Sequence, residues 1–152
     1  MKILRTRDVK MPERGTPSSA GMDIFIPNDF APEHDGIIVL APEMSILIPA
    51  GIKVNVPDDR ALIAFNKSGI AAKKNLIIGA CVIDEDYQGE IHIDIKNVGN
   101  KDQIISAGDK ITQLVCLPVD YVEIQEAKTE DECFGGISTK RGTGGFGSTG
   151  TK

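Results

Sequence analysis

The sequence predicts an all-β fold, a sandwich or barrel of short antiparallel strands. Three observations predict it. The apolar runs are short and rich in β-branched residues, which suit a pleated, half-buried surface. Turn-forming residues punctuate those runs at close intervals. Ile91, Ile93 and Ile95 alternate with His92, Asp94 and Lys96, the period of two that buries one face of a strand.

Taken in order, candidate strands cover 22–26, 36–40, 45–49, 52–56, 61–65, 90–97, 103–106 and 110–117. Pro27-Asn28-Asp29 closes the first, since proline cannot donate to a ladder and Asn and Asp favour turns. Ala50-Gly51 separates the third from the fourth, and Pro57-Asp58-Asp59 separates the fourth from the fifth. Val98-Gly99-Asn100 ends the sixth, and Ala107-Gly108-Asp109 divides the last two. Only 68–75 has the composition for a short helical turn. There is no internal repeat. Residues 126–140 are polar and acidic, resemble a linker, and lead into a glycine-rich tail. The expected organisation is a β core over 1–125 and a C-terminal arm over 126–152.

The chain has 152 residues, enough for one domain with a real core. A net charge of −5 argues against general nucleic-acid or membrane-surface binding. Cys81, Cys116 and Cys133 are odd in number and lack CxxC spacing. They suggest reduced thiols in a cytoplasmic setting, with no disulfide frame and no structural zinc. The first residues offer no signal peptide, and no segment could span a bilayer.

The tail Arg141-Gly142-Thr143-Gly144-Gly145-Phe146-Gly147-Ser148-Thr149-Gly150 is half glycine. Glycine lets backbone N–H groups approach an anion closely. Arg141 and the hydroxyls add donors suited to phosphate oxygens, and Phe146 suits a flat ring. Such a tail could close over a nucleoside phosphate, or simply be a floppy end. No strand precedes its Gly-x-Gly-x-x-Gly and no helix follows, so a dinucleotide fold is a poor fit.

Four further clusters could carry chemistry. Residues 79–90 place Asp84, other carboxylates and Tyr87 on an expected hairpin. A carboxylate held near water can act as a general base, although an acidic turn facing solvent reads the same way. Lys67-Ser68-Gly69 presents a cation, a hydroxyl and free N–H groups at the start of the helical turn. Alternatively, Ser68 is an ordinary N-cap. Asp23 enters a strand, where a carboxylate is costly unless paired, so a structural role such as holding a cation suits it better than catalysis. Gln113, on the last strand, could donate to a phosphate oxygen or be a plain surface amide.

These five stretches, in this order, resemble the five motifs of the homotrimeric dUTPase family. The most specific are Val82-Ile83-Asp84-x-x-Tyr87-x-Gly89 and the run from Arg141 to Gly150. The resemblance implies a β jelly roll, a homotrimer with sites shared between subunits, and Mg²⁺-dependent cleavage of dUTP to dUMP and pyrophosphate. It implies that Asp84 deprotonates the water attacking the α-phosphorus and that Tyr87 excludes a 2′-hydroxyl. Backbone around Gly79, Cys81, Val82 and Ile83 would read uracil and reject thymine's methyl, with His92 on the adjoining strand. Lys67, Ser68, Gly69 and Gln113 would hold phosphates. Arg141, Gly147 and Ser148 would close over the γ-phosphate while Phe146 stacks on the base. Mg²⁺ would be held mainly by substrate phosphates and water, with no direct protein ligand. The chain departs from the usual pattern at Lys67 and Lys110, where arginine is common, at Cys81, where glycine is, and in the longer stretch 133–138. The rival readings are a dCTP deaminase or bifunctional deaminase–dUTPase of the same fold, and a non-catalytic nucleotide-binding regulator.

Overall fold

The computed structural model describes residues 1–145. Two compact units emerge, Met1–Asp120 and Tyr121–Lys152. The first contains eleven strands: β1 (Lys2–Arg5), β2 (Met22–Phe25), β3 (Ile37–Leu40), β4 (Ser45–Pro49), β5 (Ile52–Asn55), β6 (Arg60–Asn66), β7 (Leu76–Ile78), β8 (Val82–Ile83), β9 (His92–Asn97), β10 (Gln103–Ser106) and β11 (Lys110–Pro118). Helix α1 (Ser68–Lys74) follows β6, and a single 3-10 turn covers Pro32–His34. Every strand pairing is antiparallel.

The strands form ribbons β1-β5 and β3-β10, a four-stranded sheet β2-β11-β6-β8, and a three-stranded sheet β4-β9-β7. Their inner faces meet in one core, in which Ile24, Ile26, Ile48, Ile52, Leu62, Leu76, Ile95 and Ile105 are fully buried. Ile91, Ile93 and Ile95 lie inside while His92 and Lys96 face out, as the alternation requires. Two polar side chains, Asn97 and Thr112, are fully enclosed among them. Asn97 donates to the carbonyls of Leu40 (2.9 Å) and Lys101 (2.8 Å) and accepts from Gly99 N–H (2.9 Å), so its burial leaves no polar atom unpaired.

All eight expected strands are present. Three more are not among the expected strands: β1, β7 and β8. The helical content also exceeds the single turn expected. In the second unit, α2 (Glu130–Phe134) interrupts the stretch read as a linker. Thr129 Oγ1 caps it by accepting Glu132 N–H at 3.1 Å, and Glu132 Oε2 accepts Lys128 N–H at 2.8 Å. Gly135, in the left-handed region at φ 61°, ends it.

Candidate active site

β6 is the spine of the site. Its register with β11, and that of β11 with β2, puts Asp23, Gln113 and Phe65 in one row across three strands. Lys67 leaves the end of β6, and α1 begins at once. Lys67, not Ser68, is the N-cap residue, and no side chain caps the helix. Ser68 is therefore the first helical residue, and the N-cap alternative is wrong for it. The cause is Lys67's extended backbone, at φ −86° and ψ 127°, which places the cap one residue earlier. Lys67, Ser68, Gly69 and Gln113 line one open cavity of about 450 Å³, together with Ile70, Lys73 and Lys74.

Asp23 is buried and paired. Its Oδ1 takes a hydrogen bond from Lys67 Nζ, and its Oδ2 lies 3.5 Å from Lys110 Nζ. Lys110 also donates to Glu13 at 2.9 Å, as does Lys10. The Lys10 and Lys110 hydrogen bonds hold the Glu13 carboxyl below its usual range. The Glu13 bond correspondingly raises Lys110. The two lysines found where arginine is common thus grip one carboxylate as point charges, which needs no planar fork.

The hairpin from β7 to β9 carries the second group. β8 pairs with β6 through Leu62↔Ile83 and Ile63↔Val82, and Cys81 C=O accepts Ala64 N–H at 2.8 Å. Asp84 follows immediately and is exposed. A turn then returns the chain, with Tyr87 N–H donating to Asp84 C=O at 3.3 Å. The Tyr87 hydroxyl donates to Glu90 C=O at 2.8 Å. Gly89 permits this fold-back, because a Cβ there would meet the phenol oxygen at 2.3 Å. His92 Nδ1 lies 3.0 Å from the same carbonyl and so carries the proton. With that carbonyl committed to side chains, β9 begins at His92 and not at residue 90.

Among the described residues, the phosphate-facing group and Tyr87 line different depressions. Tyr87 and Gln88 border a depression of about 380 Å³, with Lys2 and Lys53 from the β1-β5 side. In the second unit, Arg141 Nε donates to Gly144 C=O at 3.0 Å, inside the tail's own turn. Phe146, Gly147 and Ser148 lie outside the described residues. Among the described residues, no three of His, Cys, Asp and Glu converge on a metal position, and no helix is long and apolar enough to cross a membrane.

Three residues that organise the site have no role of their own legible in the sequence. Asn66 joins the groups: its Oδ1 accepts Ile78 N–H at 2.8 Å and its carbonyl accepts Gln113 Nε2 at 3.0 Å. Asp94 braces the loop after β7, with Oδ2 accepting Ala80 N–H at 3.2 Å. Glu90 Oε1 accepts from Thr6 Oγ1 (3.0 Å), Arg7 Nε (3.0 Å) and Gly51 N–H (2.9 Å). Burial raises the Glu90 carboxyl, but the Thr6 and Arg7 hydrogen bonds, the Arg7 charge and Gly51 outweigh it, and the carboxyl sits below its ordinary value of 4.5.

A carboxyl held low in the folded state stabilises that state above the unfolded pKa and loses this contribution as pH falls through the folded one. Glu90→Gln therefore lowers Tm at neutral pH, and its gap to the unaltered protein narrows below about pH 4.5. A gap that stays constant on acidification would show that the carboxylate's charge contributes nothing.

The dUTPase family model matches residues 7–150. The chain belongs to the dUTPase family. The deoxyuridine 5'-triphosphate nucleotidohydrolase of Shewanella halifaxensis is 38% identical over 158 residues, covering 100% of this chain and 96% of the relative. That of Anaplasma marginale is 35% identical, covering 99% of this chain and 98% of its own length. The fold also matches a Staphylococcus bacteriophage 80alpha dUTPase variant with dUpNHpp, at a TM-score of 0.81 and 24% identity over 98% of this chain and 97% of that one. A phage phi11 dUTPase variant, described for its coordination of a structural Mg(II) ion, matches at a TM-score of 0.73 and 24% identity over 86% and 97%. The all-β jelly roll expected of the family is thus the fold of this dUTPase chain.

Proposed function

We propose that this chain is a dUTP diphosphatase that hydrolyses dUTP to dUMP and pyrophosphate. The end-to-end match to dUTP nucleotidohydrolases carries the reading. Asp84, exposed at the end of a strand pinned to β6, takes the proton of the water that attacks the α-phosphorus. Lys67, Ser68, Gly69 and Gln113 hold the phosphates in their shared cavity, with Asp23 aiming Lys67. Gly79, Cys81, Val82 and Ile83 frame the uracil ring, His92 supports them, and Tyr87 lies against the deoxyribose. Arg141, Phe146, Gly147 and Ser148 close over the nucleotide.

A donor set without a dense carboxylate cage fits Mg²⁺ that arrives on the nucleotide, held by phosphate oxygens and water. When bound, the ion neutralises and orients the triphosphate. Tyr87 lines one depression of the chain and the phosphate residues line another. That separation supports a homotrimer in which different subunits complete each site.

A pyrophosphate-release assay across dUTP, dTTP, dCTP and UTP tests the proposal. The expected result is turnover of dUTP far above the other three. Ammonia released from dCTP would replace the reading with a deaminase, and nucleotide binding without any product would replace it with a regulator. In the same assay, Tyr87→Ala narrows the dUTP-to-UTP ratio of kcat/KM by roughly 10-fold or more, the range expected when a close apolar contact is lost. An unchanged ratio would assign the guarding of the ribose to another residue.

A further inference from the structure

We propose that Asp94 is a positioning residue that fixes the width of the loop framing the base and thereby sets its selectivity for uracil. The proposal rests on the reading of residues 79–83 as the base-framing loop.

The β7–β9 register runs Leu76↔Asn97, Ile77↔Lys96, Ile78↔Ile95. One step further, Gly79 stands opposite Asp94, and Gly79 N–H donates to Asp94 C=O at 3.0 Å. The half-buried Asp94 side chain then crosses the glycine. A Cβ on Gly79 would lie 2.1 Å from Asp94 Oδ2 and 2.8 Å from its Cγ. The carboxylate fills the volume that a side chain at 79 would take. The same oxygen accepts Ala80 N–H at 3.2 Å, a charge-assisted bond of the stronger kind.

One residue therefore grips two consecutive amides of the loop, one through its main chain and one through its side chain. An apolar residue at 94 could fill the space over Gly79 but could not accept from Ala80. An alanine at 79 would push the carboxylate aside and off Ala80 N–H. The pair works as a lock: the acid reaches Ala80 only because residue 79 has no side chain, and together they set how far the loop can open before Asp84.

The test compares unaltered protein with Asp94→Ala, Asp94→Asn, Gly79→Ala and the double variant Gly79→Ala/Asp94→Ala. Each is read by dUTP and dTTP kinetics and by Tm. Asp94→Ala raises KM for dUTP roughly tenfold while kcat is largely kept, the signature of lost binding. It also narrows the dUTP-to-dTTP ratio of kcat/KM. Asp94→Asn, which keeps an oxygen acceptor, recovers most of both. Gly79→Ala is damaging alone but costs nothing further once Asp94 is alanine, because the nearest atom left is the Cβ of residue 94 at 3.6 Å. A non-additive cycle is the mark of such a direct contact.

Additive penalties in kinetics and Tm would overturn the lock. A non-additive Tm cycle with unchanged KM and an unchanged dUTP-to-dTTP ratio would overturn the selectivity role and leave Asp94 a structural brace. If the unaltered protein releases no pyrophosphate from dUTP, the reading of the site has failed. That failure is seen before any variant is made, and the Tm cycle still judges the lock.

Discussion

Asp84→Asn abolishes dUTP turnover and leaves nucleotide binding in place. The amide can hold the attacking water but cannot accept its proton, and loss of a positioned base costs roughly 10²–10⁴-fold in rate. The substitution does not disturb the fold. Asp84 is exposed, its side chain lies beyond the ladder that Leu62↔Ile83 secures, and the turn to Tyr87 uses its main chain. Pyrophosphate release measures the rate, and calorimetry with dUTP on the inactive variant measures binding. A variant with the original kcat would remove Asp84 from the role of base and make Asp86 the next candidate.

Truncation after Lys140 leaves a folded protein with turnover down by roughly 10²-fold or more, the scale of lost substrate positioning. Among the described residues, all eleven strands and the whole buried core lie within Met1–Asp120, so Tm should hardly move. A large loss of Tm would instead make the tail a structural strap. The truncated chain and the Asp84→Asn chain, each far below full turnover, also test the shared site when unfolded together and refolded. If each site takes its aspartate from one subunit and its tail from another, roughly a quarter of sites in randomly mixed cyclic trimers regain both. No gain over either parent refolded alone, in trimers that mass spectrometry shows to be mixed, would leave each subunit to close its own tail.

The strands legible in the sequence are those whose burial follows their own periodicity. β9 shows this best, with Ile93 and Ile95 inside and His92 and Lys96 outside. β1 was not legible because Leu4 is 64% exposed and only Ile3 is half-buried. It exists as a strand because β5 pairs with it. β8 has two residues, too few to show any period. α2 had left a signal: Thr129 three residues before Glu132 is a capping pattern, and Gly135 is a stop.

The candidate residues were legible as chemistry at fixed spacing: a carboxylate, a ring, a Ser-Gly turn, a glycine-rich tail. Their supports were not. Asp94 sits on the polar side of an alternating strand, where an acid needs no explanation, and only the register against β7 brings it over Gly79. Asn66 and Glu90 likewise act on partners as far as 47 and 84 residues away in sequence. No local pattern encodes such a contact.

The central claim is that water activated at Asp84 attacks the α-phosphorus. Turnover of dUTP in heavy-oxygen water, with both products weighed by mass spectrometry, tests it most directly. Attack at the α-phosphorus leaves one heavy oxygen in dUMP and none in pyrophosphate. Label in the pyrophosphate, with dUMP unlabelled, would place the attack on the β-phosphorus and contradict it.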